Sequence, residues 1–197
     1  MARAGLFRSV RRVMLVLRFI GVLNAAVWLG AAFFFTFAVA PAFFTPEVKE
    51  IFHGRFWPGV MAQFVVERYF YLQQICGVIA LVHLIAEWFY LGRALQRLNV
   101  VILGGLLLFG FVGGFWIQPR LHELHRVMYS MNEQYQAVSL SVAERTAAAK
   151  SFKTWHGVAR AMDIVALAGL LVYFWRVTHP SDDLRILSAT AGPQFRS

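Results

Sequence analysis

Apolar residues gather into four long runs, at 13–40, 69–91, 98–117 and 155–175, divided by stretches that carry most of the charge and proline. Each run is close to or above the ~20 residues a helix needs to cross a bilayer. The pattern predicts an all-α, polytopic membrane protein whose four helices pack as a transmembrane bundle.

Between the third and fourth runs the period changes. Leu121, Leu124, Met128, Met131, Tyr135 and Val138 alternate steps of three and four, which sets them on one stripe of an amphipathic helix. "SVAE" at Ser141 to Glu144 fits a capping box, and the alanine-rich stretch after it reaches Trp155 without a helix breaker. Helices three and four should therefore extend beyond the bilayer as a hairpin over 120–153, turning near Ser139 and Leu140. Pro119 lacks a backbone donor and should mark a kink or a fresh helix start. The other long connector, "APAFFTPEVKEIFHGRFWPG", is rich in turn formers, with aromatics suited to the interface and Pro58 suited to the first position of helix two. The whole chain reads as one membrane domain with a flexible tail over 179–197.

Composition agrees with a non-aqueous solvent. Of 197 residues, 59% are hydrophobic and 15% charged, against roughly 25% charged in an ordinary soluble domain. The net charge of +9 does not point to nucleic acid, because the basic residues lie in flanks and loops rather than on one aromatic-interleaved surface. Arg3, Arg8, Arg11, Arg12 and Arg18 precede or enter the first run, Arg93 and Arg97 fill a short loop, and Arg176 and Arg185 follow the last run. By the positive-inside rule both termini are expected in the cytoplasm. "AVA" at Ala38 to Ala40 resembles a signal-cleavage pattern, but the apolar stretch before it is much longer than a signal peptide's core, so the first run is read as a helix. Trp57, Trp116 and Trp155 fall at the outer ends of runs, and Trp88 and Trp175 at the inner ends. Trp28 is deep in the first run and is expected to pack between helices. Gly110 and Gly114 form a GxxxG spacing that suits close helix approach.

Ionisable groups at membrane depth are costly and by default raise a functional hypothesis. His156, Arg160 and Asp163 fall within about 60° of one another on a helix, beginning at the outer boundary, and Arg160 can pair locally with Asp163. With Glu67, Arg68 and Arg120 they form a candidate outer polar pocket. His83 and Glu87, with Asn24, form a candidate inner cluster. His83 lies about 21 Å from the outer end of its run and His156 about 3 Å from that of its own, which weighs against haem held between them. His122 and His125, beside Glu123, read as a solvated polar face rather than a zinc site. Cys76 is the only cysteine, so an intrachain disulfide is excluded. No catalytic residues and no metal or other cofactor are expected.

Four stretches, "VWLGAAFFFTFAVAPAFF", "RFWPG", "FWIQPRLHELHRVMYSMN" and "SFKTWHGVARAMDIVALAGL", together resemble the transmembrane protein 205 family, known in bacteria as domain of unknown function 4149. The resemblance implies a four-helix membrane protein without an established reaction. Residue by residue it points to Trp28, Gly30, Pro41, Pro58, Pro119, Arg120, His156 and Gly157. At Asp163 the family can carry asparagine, which implies a polar contact rather than an obligatory charge. Some members carry a histidine early in helix one, where this chain reads "LRFIG". The leading functional expectation is a non-enzymatic protein that binds or helps move a small solute, ion or lipid headgroup in the outer pocket. The alternatives are an assembly subunit that docks a partner through the hairpin and, least favoured, a haem redox protein. Expected partners are membrane lipid and a second copy or another membrane protein.

Overall fold

The computed structural model describes residues 2–91, 97–129 and 140–179. The described elements are helical: α1 (Ala2–Phe34), α2 (Ala40–Ala42), α3 (Pro46–Ile51), α4 (Phe56–Leu91), α5 (Arg97–Val112), α6 (Gln118–Met128) and α7 (Val142–Thr178). Four stretches are long and apolar enough to cross a membrane: Leu15–Ala42, Phe56–Phe89, Arg97–Met128 and Val142–Thr178. The protein is a multi-pass integral membrane protein. The expected turn at Ser139 and the tail beyond His179 lie outside the described residues, as do Met131, Tyr135 and Val138.

Two π-helical turns, Phe35–Val39 and Gly113–Ile117, join α1 to α2 and α5 to α6. Each comes just before a proline. Pro41 and Pro119 have no N–H to return to the preceding turn, and their rings crowd the carbonyl four residues back. Widening the turn accommodates both problems, and Ala40 N–H bonds Phe35 O while Gln118 N–H bonds Gly113 O across five residues. Pro119 thus sits in helical backbone that continues from α5, in place of a fresh start after a break. Pro58 is the third residue of α4, which begins at Phe56, so the second helix starts well before the apolar run at 69. Pro58 still lies in the first turn, where its missing donor costs nothing.

Helix α1 packs on α4 and α7, and α5 packs on the same two. The residues facing inward form one cluster: Ala25, Trp28 and Ala32 of α1, Cys76 and Ala80 of α4, Leu103 and Leu106 of α5, and Leu167, Leu170 and Tyr173 of α7. Small side chains dominate the α1–α4 seam, as expected where two membrane helices gain by close backbone approach. The glycine that the third span needs for packing is not Gly110, where an added Cβ would meet open space, but Gly113 at the start of the π turn, where it would strike the Phe70 ring. Leu15, Phe19, Ile75, Phe89, Val101 and Phe111 are among the many large apolar residues left exposed on the outer surfaces of the helices, a distribution suited to lipid rather than water. Trp57, Trp88, Trp116 and Trp175 are exposed near helix ends, whereas Trp28 is only 2% exposed.

Helix α7 begins as the sequence predicts. Ser141 Oγ accepts from Glu144 N–H, and the Glu144 carboxylate accepts in return from Ser141 N–H at 2.8 Å. Ser141→Ala should cost about 1 kcal/mol through loss of this cap, seen as faster hydrogen exchange over the first turns of α7; unchanged exchange there would contradict the role given to the cap.

Candidate functional site

Trp28, Gln73, Tyr69, Asp163 and Thr36 form a chain of polar groups that links α1, α4 and α7. Trp28 Nε1–H donates to Gln73 Oε1, Gln73 Nε2 donates to the Tyr69 hydroxyl, and the Tyr69 hydroxyl lies against the Asp163 carboxyl group. On the other side Thr36 Oγ1 donates to Asp163 Oδ2 at 2.7 Å. Tyr69 and Gln73 are one turn apart on α4, Thr36 is in the π turn after α1, and Asp163 is on α7, about 12 Å along the helix from Trp155.

The direction of every bond follows from one group. An indole N–H can only donate, so Gln73 must turn its carbonyl oxygen to Trp28. Its amide nitrogen then faces Tyr69, whose oxygen becomes the acceptor. The single phenolic hydrogen is left for Asp163. Hydroxyl groups from the turn after α1 and from α4 therefore converge on one carboxyl group. In a low-dielectric interior such a chain is mutually polarising. Packing holds it in place: Trp28 meets Tyr173 edge-on at 6.1 Å, and Tyr69 stacks on Phe35 at 4.2 Å.

Of the outer-pocket residues, Asp163 alone enters this chain. Arg160 is exposed, and in place of its expected local pair Asp163 accepts from Thr36 and faces Tyr69. His156, about two turns nearer the start of α7 than Asp163, is exposed and stacks on Phe152 at 5.8 Å. Arg120 pairs with Glu123 at 2.7 Å on an exposed surface. Glu67 and Arg68 are exposed, and the Arg68 guanidinium lies 5.9 Å from the Tyr71 ring centre.

In the inner cluster, His83 is buried with Nε2 4.0 Å from Glu87 Oε1. Its ring lies so close to Gly21 that any side chain there would collide with it. Asn24 is buried beside this contact but donates to the Cys76 carbonyl at 2.9 Å. Among the described residues no three His, Cys, Asp or Glu side chains come together as a metal-binding group.

The motif residues divide between core and surface. Trp28 and Pro58 are buried, Pro41, Pro119 and Gly157 are exposed, and Gly30 opens onto an apolar groove lined by Ala26, Phe33, Leu171 and Phe174. His122 is exposed as expected, but His125 is 3% exposed and enclosed by Phe56, Tyr129 and Phe152, with Gly59 against its Nε2. Among the described residues neither His125 ring nitrogen has a hydrogen-bond partner. The signal was in its spacing: His125 lies four residues after Leu121 and three before Met128, on the edge of the buried stripe.

A family model, the domain of unknown function DUF4149, matches residues 23–130, more than half of the chain. The chain belongs to this family. The DUF4149 match contains Trp28, Thr36, Tyr69 and Gln73, while Asp163 lies beyond it on α7. No curated protein and no solved structure matches the chain.

The bond directions carry a consequence for substitution. In Asp163→Asn the amide oxygen can still accept from Tyr69, and Thr36 can turn its hydroxyl to accept from the new amide N–H. That variant should remain folded, with stability within about 1 kcal/mol of the parent. Thr36→Val cannot make this adjustment and should lose about 1 kcal/mol, with Thr36→Ser recovering most of it. Reversible unfolding in mixed micelles measures both; equal stability of the Val and Ser variants would contradict the bond to Asp163.

Proposed function

We propose that this DUF4149 protein binds, or helps move, a small solute, ion or lipid headgroup at a polar centre built around Asp163. The observation that supports this reading is the convergence of Thr36 and Tyr69 on a carboxyl group within a membrane-spanning helix. A carboxyl group is costly in a bilayer even where hydroxyl groups face it, and such groups mark ligand pathways more often than simple packing. His156 and Arg160 lie outward of Asp163 along α7, and they form the approach to the centre from the outer interface. The reading carries no catalytic step.

In this proposal the four spans close as a bundle, and the outer parts of α6 and α7 project beyond the bilayer as a hairpin. Both termini face the cytoplasm, in keeping with the arginines near the chain ends and in the short loop. The likeness to the transmembrane protein 205 family is part of the same reading. The assembly reading is less favoured, because Leu124 of the apolar stripe is already buried within the protein. Haem is less favoured too, since His83 packs on Gly21 and His156 on Phe152, two separate environments.

Native mass spectrometry of the detergent-purified protein tests the proposal and reads the oligomeric state together. The parent and Thr36→Ser should carry a bound small-molecule or ion mass that Asp163→Ala loses. The same spectrum for all three, or no added mass on any, would contradict a site at Asp163.

A further inference from the structure

The connector between the first two spans is tied tightly at both ends. Only Phe43, Phe44 and Thr45 separate Ala42 from α3, and only Phe52 to Arg55 separate α3 from α4. At up to ~3.6 Å per residue these tethers reach about 11 Å and about 14 Å. The first candidate span, Leu15–Ala42, is 28 residues long, about 42 Å of helix, which matches the ~40–45 Å of a bilayer with its headgroups. Helix α3 is therefore held at headgroup level.

Its faces differ. Val48, Ile51 and Phe52 fall within about 100° of arc, with Glu47, Lys49 and Glu50 on the remainder. Ile51 is 70% exposed, and Phe44, Phe52 and Trp57 are also exposed beside it. Thr45 caps the helix by accepting from Val48 N–H. A rigid turn ends it: Gly54 N–H bonds Lys49 O at 2.8 Å and His53 N–H bonds Glu50 O at 3.1 Å, with His53 at a φ of 51°. This is a Schellman closure, so the apolar arc is fixed in direction. The Glu47 carboxyl is held below the usual carboxylate range by backbone and Thr45 hydrogen bonds, which keeps the opposite face charged.

We infer that α3 is an interfacial anchor, with Ile51 and Phe52 set among the upper acyl segments of the adjoining leaflet and Lys49 and Arg55 placed to meet lipid phosphates. Two features favour lipid as the occupant: the tethers hold α3 at headgroup depth, and its apolar side lies next to flanking cations. The surface is independent of the Asp163 centre.

The test is site-directed spin labelling of the full chain in phosphatidylcholine vesicles. Cys76 is replaced by alanine, and nitroxides are placed by Ile51→Cys, Phe52→Cys and Glu50→Cys in separate variants. Labels at 51 and 52 should collide with dissolved oxygen several-fold more, and with a water-soluble nickel chelate several-fold less, than the label at 50. Equal nickel access at all three would put the arc in water and overturn the inference. Shielding of 51 and 52 from oxygen and nickel alike would mean that protein covers the arc, which overturns it as well.

Discussion

An indole N–H that can only donate governs the polar interior of this protein. Trp28 is almost completely buried, and its one hydrogen bond decides which end of Gln73 faces which neighbour. From that choice follow the roles of Tyr69 and finally of Asp163. Without Trp28 the Gln73 amide could turn round, and the phenolic hydrogen would no longer be committed to the carboxyl group. In a bilayer interior, where water cannot repair a misdirected bond, such a commitment matters more than the small net energy of each bond.

The prolines and small residues set the geometry that the chain of bonds requires. Pro41 is accommodated by the π turn that contains Thr36, so the feature that protects the backbone also carries a donor to Asp163. Gly21, Ala25, Ala32, Cys76 and Ala80 let α1 and α4 approach closely, which brings Trp28 and Gln73 within reach. Gly21 has a further use, because it leaves room for the His83 ring. Backbone packing and polar bonding are thus one arrangement, built mainly by α1, α4 and α7.

Much of the fold was legible in sequence, because hydropathy is nearly a direct statement of which residues lipid will accept. The four spans, the cap at Ser141 and the burial of Trp28 were all readable in this way. The polar centre was legible only through Asp163. Its partners are a threonine, a tyrosine and a glutamine, residue types that raise no alarm in a membrane helix, and their meeting depends on the relative rotation of three helices. Local spacing suggested Arg160 as the partner of Asp163, since they are three residues apart. Bonds from other helices prevailed because they satisfy the carboxyl group where the helices pack, while Arg160 remains exposed. His125 was misread as solvated for a related reason: its neighbours Phe56, Gly59 and Phe152 come from distant parts of the chain.

The central claim is that Trp28 acts on Asp163 through Gln73 and Tyr69 without touching it. A double-mutant cycle of Trp28→Phe and Asp163→Asn, read by unfolding in mixed micelles, tests this most directly. Removing Trp28 frees Gln73 to turn and releases the phenolic hydrogen from residue 163, so the two single effects should fail to add by about 0.5 kcal/mol or more. Strict additivity, within about 0.3 kcal/mol, would show that the two residues act independently and would contradict the account.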